Sequence, residues 1–126
     1  MTGADPVAAA KALIEAQAGA VGAPVPTARG VTMYKVMGKI FAILEDARVK
    51  GVILKCDPHL AETLREQYAG IGHRSHLDRR FWIAVSLGAD VPADEVARLI
   101  AHSHDQVCAT LTKKQRAELA VLSGSA

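Results

Sequence analysis

Residues 51–82 read GVILKCDPHLAETLREQYAGIGHRSHLDRRFW, and this stretch restricts the fold more than any other. Val52, Leu54 and Cys56 alternate with Ile53 and Lys55, the period-two pattern of a strand. Asp57-Pro58 then stops the strand and starts a helix. The Asp carboxylate can accept backbone N–H bonds as an N-cap, and proline suits the first turn. Leu60, Ala61, Leu64 and Tyr68 fall on one face of that helix, and Gly70 is placed to end it. GIGHRSHL and FWIAVSL follow as two strands around the basic turn Asp78-Arg79-Arg80.

The flanking segments extend this pattern. VTMYKV (residues 31–36) alternates, Gly38 supplies a tight turn, and KIFAILE is apolar on both faces, as a central strand would be. A short loop at 46–50 returns the chain into GVILKC, which predicts an antiparallel meander. Before it, Asp5-Pro6 opens a helix whose apolar face (Val7, Ala10, Leu13, Ile14, Ala18) is largely small and buries little area. Residues 19–30 read as an irregular Gly/Pro-rich connector. After it, Pro92 with Asp94 and Glu95 starts a long helix to about Ala109, with Val96, Leu99, Ile100, Ser103 and Val107 on its buried stripe. Thr112 and Gln115 fit a capping box for a short helix to Val121.

The order α-βββ-α-ββ-α predicts a two-layer α+β fold, an antiparallel sheet with helices on one face and the other face partly open. At 126 residues this is one domain spanning 1–126. It divides into a helix and connector over 1–30, a core over 31–121 and a tail over 122–126.

Charge separates the elements. The formal net charge is only +2, so any surface for a polyanion must be a local patch. Residues 31–56 hold five Lys/Arg against two acids, whereas the helical stretches 57–69 and 91–109 each hold one Arg against three acids. Positive charge therefore belongs to strands and turns. Two cysteines without a CxxC pair predict reduced thiols. The N-terminus lacks a basic signal region, and its Ala-rich run is broken by Lys11, Glu15 and Gln17, so a cytoplasmic protein without a membrane span is expected.

Candidate chemistry is sparse. In the hairpin, Arg74, Arg79 and Arg80 with His73 and His76 could hold phosphates, or could simply keep an edge soluble. Trp82 could stack on a base, although a lone Trp in a small domain more often packs in the core. His102 and His104 lie two apart on a helix and point to different faces; His73 and His76 have no further ligand at zinc spacing, so no metal is expected. Cys56 ends an apolar strand beside His59 and reads as a small core residue. No nucleophile, base and orienter assemble, so no enzyme activity and no cofactor are expected.

Four blocks carry a resemblance: GKIFAIL (38–44), LKCDPHLAETLREQYAGI (54–71), HLDRRFWIAV (76–85) and HSHDQVCATLTKKQR (102–116). In order and at matching spacing, over about residues 33–119, the chain resembles the MmcQ/YjbR family of small bacterial proteins, often described as DNA-binding. The resemblance implies an antiparallel sheet with packed helices, similar to type III secretion chaperones and frataxin-like domains. Lys39, Lys55, Asp57, Pro58, Trp82, Ser103 and Asp105 match family positions. GAPVPTARG replaces the family's acidic and aromatic segment, and Ser103-His104-Asp105 replaces its usual Ser-Tyr-Asp.

Two functions are thereby expected to compete. One is a DNA-binding module, weak and largely sequence-independent, using Lys35, Lys39, Lys55, Arg74, Arg79 and Arg80. The other is a non-enzymatic, chaperone-like protein-interaction domain using the open face. A continuous basic face would favour the first and an exposed apolar patch the second.

Overall fold

The computed structural model describes residues 5–74 and 76–122. Helix α1 (Pro6–Glu15) is followed by strands β1 (Ala20–Pro24), β2 (Val31–Val36), β3 (Lys39–Asp46) and β4 (Lys50–Lys55). Helix α2 (Pro58–Gln67), strands β5 (Ile71–Gly72) and β6 (Trp82–Ser86), and helices α3 (Ala93–Cys108) and α4 (Lys113–Leu122) complete the chain. The strands form one sheet in the order β1-β2-β3-β4-β6-β5, every described pairing antiparallel. This is the expected α+β architecture.

Local chemistry explains most boundaries. Asp5 accepts the Val7 N–H at 3.0 Å, and Asp57 accepts from His59 N and Leu60 N, both at 3.1 Å. Thr112 and Gln115 close a reciprocal capping box that starts α4. Met37 and Gly38 have φ of 49° and 81°, the two positive values of a type I′ hairpin turn between β2 and β3.

Three expectations need correction. The connector at 19–30 contains β1, because β2 supplies its pairing and Gly22 lies flat on the Tyr34 ring. A Cβ at Gly22 would sit 2.4 Å from Tyr34 Cε1, so the glycine that looked like a breaker permits the contact. The helix begun at Asp57 ends at Gln67, since Tyr68 is already extended; the N–H groups of Ala69 and Gly70 bind the Asp90 carboxylate instead of a helix end. The long first strand of the basic hairpin shrinks to Ile71–Gly72, with the described residues 73, 74 and 76–81 irregular. Ser75 and the tail residues 123–126 lie outside the described residues.

The main core lies between the sheet and its helices. It joins Tyr34, Phe41, Leu54 and Ile83 from the sheet to Ile14, Leu64, Leu99 and Ile100 from α1, α2 and α3. Although its face is small, α1 seats Val7, Ala10 and Ile14 in this core, and Tyr34 Oη donates to Glu15 at 2.9 Å. Burial, then the Glu15 carboxylate, pushes the Tyr34 hydroxyl up to about 12. On the opposite face Ile43, Ile53 and Ala84 form a second cluster, flanked by Val31, Met33, Ile40, Leu77 and Trp82, all half-buried. Among the described residues, none of the cluster's members or the side chains packed against it comes from a helix.

Candidate nucleic-acid interface

A β-bulge sorts the basic residues between the two faces. Tyr34 pairs with Ala42 and Lys35 with Ile40, so β3 carries one extra residue, Phe41. Phe41 and Ala42 are both fully buried on the helix side, while Ile40 and Ile43 turn to the open face. The bulge separates Phe41 from Lys55, its natural partner on β4. The Ser103 hydroxyl of α3 fills the gap, accepting the Lys55 N–H at 2.8 Å and donating to the Phe41 carbonyl. Two steps along the chain, the Asp57 N–H donates to His102 Nε2 at 3.2 Å, which fixes the ring as an acceptor at that nitrogen. Helix α3 thus stitches the end of β4 to the start of α2.

The six sequence-predicted cations do not form one continuous surface. Lys35 and Lys55 point to the open face at one end of the sheet, flanked along their strands by buried core neighbours. Lys39 pairs with Val36 across the turn and so shares the helix-side face. Its Nζ binds Thr110 O and Oγ1 at 3.1 and 3.0 Å and caps the C-terminus of α3. Arg74 lies at the far end of the open face, in a two-point ion pair with Glu45. Arg80 is held by the Asp78 carboxylate, with Nη2–Oδ2 at 2.9 Å, and lies over the Phe81 ring. Arg79 is exposed and forms no ion pair among the described residues.

Arg65 was missed by sequence reasoning. Its Nη2 donates to the carbonyls of Arg79 at 2.6 Å and Trp82 at 2.8 Å, so α2 holds the basic turn in place. Burial, then the nearby Arg79 charge, lowers its pKa, and its Nε is buried without a hydrogen-bond partner among the described residues. Pro58, Glu62, Arg65, Glu66, Arg79 and Arg80 line a cleft of about 590 Å³ beside this turn. The cleft begins three residues after Lys55 and ends two residues before Trp82, on the side of the sheet that α2 covers. Nothing in an isolated helix marks Arg65 for this task; its partners are 14 and 17 residues away.

The other candidates are structural. Burial pushes the Cys56 thiol up to about 11, with Asp57 adding to the shift, which removes it as a nucleophile at neutral pH. His104 is buried, with Nε2 2.8 Å from Ala18 O, its ring edge-on to Phe41 and Nδ1 3.6 Å from Cys108 Sγ. It fastens α3 to the turn before β1. Among the described residues no three His, Cys, Asp or Glu side chains converge as a metal site. No described helix is long and apolar enough to cross a membrane.

Comparison with known proteins agrees with the fold and places the chain. The YjbR family model matches residues 18–106. The chain is 30% identical over 86 residues to the YjbR proteins of Escherichia coli K12 and O157:H7, covering 68% of this chain and 73% of theirs. The crystal structure of Deinococcus radiodurans protein DR2400 is similar with a TM-score of 0.76 at 25% identity, over 86% of this chain and 83% of that one. A Pseudomonas syringae protein is similar with a TM-score of 0.60 at 25% identity, over 69% and 86% respectively. The bulged sheet, the Asp57-Pro58 cap and the α3 stitch are therefore features of a chain that belongs to the YjbR family.

Proposed function

We propose that this chain is a non-enzymatic binding module that takes DNA weakly, and largely without regard to sequence, at the Lys55 end of its open sheet face. One observation carries the reading. Lys35 and Lys55 stand at that end of the open face and Arg79 lies in the neighbouring α2 cleft, none of them in an ion pair among the described residues, whereas Arg74 is paired with Glu45. An unpaired cation releases counterions from a phosphate backbone; one already paired has little to give. A flat strand surface also offers no helix or ribbon to enter a groove, which accounts for the lack of base reading.

Three phosphate contacts predict that log K falls with log salt at a slope of about −3 on duplex DNA. Fluorescence anisotropy with a labelled duplex over a salt series measures it. Absence of binding at about 50 mM salt, where such contacts are least screened, would end the DNA reading.

A second reading, a protein-interaction face, is favoured by the half-buried apolar row of Val31, Met33, Ile40 and Trp82 that surrounds the buried Ile43, Ile53 and Ala84 on the same face. If DNA does not bind, this row makes a protein partner the better assignment.

A further inference from the structure

Across the Lys55 end of the open face, four side chains stand in one row on four neighbouring strands. Lys35 of β2 pairs with Ile40 of β3, the bulge intervenes, and Lys55 of β4 pairs with Trp82 of β6. Lys35 is exposed and the other three are half-buried. The two lysines lie two strands apart, roughly 10 Å at ordinary strand spacing. An aliphatic side chain separates them, and an aromatic ring flanks the second. The other rings are engaged elsewhere: Tyr34 and Phe41 are in the core, Tyr68 packs against it, and Phe81 has the Arg80 guanidinium 5.2 Å from its centroid.

Resting on the DNA reading above, we infer that the row takes single-stranded rather than duplex DNA, with a base seated on Trp82 and phosphates on Lys35 and Lys55. Alternating cation and apolar surface suits a strand whose bases are free to lie flat on the protein. A duplex presents only its phosphates to a flat face, and would leave Ile40 and Trp82 against water and charge. Lysine can donate to a ribose 2′-hydroxyl oxygen, so the row selects for a single strand and not between DNA and RNA. Ile43, Ile53 and Ala84 behind the row are buried, and they seat the apolar members of the row from below.

Trp82 is the only tryptophan in the chain, so its fluorescence reports on the proposed contact directly. The full chain is titrated at low salt with a mixed-sequence single strand, the matching duplex, the matching RNA strand, and inorganic polyphosphate. The single DNA strand should quench the indole and bind about tenfold tighter than the duplex. Trp82→Leu should lose about tenfold in single-strand affinity while duplex affinity holds, and Trp82→Phe should recover most of it. Equal affinity for duplex and single strand without quenching overturns the inference but leaves the DNA reading intact. Tighter binding of polyphosphate than of the single DNA strand also overturns it, while the RNA strand should bind about as the DNA strand does. No binding of any DNA overturns both. The wild-type quenching result stands whether or not the variants fold.

Discussion

The two faces of the sheet use their polar side chains differently. On the covered face, Ser103, His102 and Lys39 are each committed to backbone groups left over where strands and helices meet. On the open face, one end is closed by the Arg74–Glu45 pair, and at the other Lys35 and Lys55 stand by Trp82 with no ion pair among the described residues. The same residue type therefore has opposite meanings. Lys39 and Lys35 are four residues apart, yet one caps a helix and the other faces solvent. Charge in a sequence predicts an interface only after the register says which charges are already spent.

Substitutions on opposite faces of one strand probe this contrast. Leu54→Ala removes a side chain from the main core and should cost on the order of 3–4 kcal/mol in urea unfolding. Ile53→Ala, its neighbour on the open face, should cost less, about 2 kcal/mol, because solvent and half-buried neighbours can close over the gap. Equal losses would mean the open face is as well packed as the core. That would break the distinction on which the functional reading depends.

Ser103→Ala should fall between those two, costing roughly 2–3 kcal/mol, since it leaves the Lys55 N–H and the Phe41 carbonyl without their bridge. A change below about 0.5 kcal/mol would show that water or a closed bulge replaces the hydroxyl, and that α3 does not fasten the sheet there. Asp57→Ala should cost about 1 kcal/mol by loss of two capping bonds, read from the same unfolding curves. An unshifted midpoint would remove Asp57 from the account of α2. Arg74→Gln should be the mildest, under about 1 kcal/mol, because its ion pair is only part-buried and borders solvent.

Much of this fold was legible because its signals are local. The caps at Asp5, Asp57 and Thr112 act over two or three residues, and each was readable from side-chain chemistry alone. The buried stripe of α3 was equally plain at helical spacing. What escaped depends on contacts made across the sheet. Strand β1 exists because Gly22 meets Tyr34, a fit that no window around GAVGAP contains. The basic hairpin lost its first strand because Arg65 and Asp78 organise the turn at Arg79-Arg80 into irregular backbone. The place of Lys39 could have been found: a two-residue turn at Met37-Gly38 pairs Val36 with Lys39 and puts both on the core side. The Ser103 bridge could not, since it exists only where the bulge at Phe41 opens the ladder. As for the candidate site, Lys35 and Lys55 were readable from strand alternation, but which arginines were neutralised depended on partners such as Glu45, 29 residues away.

The most direct test compares the two ends of the open face in one anisotropy experiment at about 50 mM salt, using a labelled DNA strand. Lys35→Glu combined with Lys55→Glu should weaken binding at least tenfold, with circular dichroism and melting near wild type. Arg74→Gln should bind as the wild type does. A loss in Arg74→Gln as large as in the double variant, or an unchanged affinity in the double variant, would contradict the assignment of the anion site to the Lys55 end.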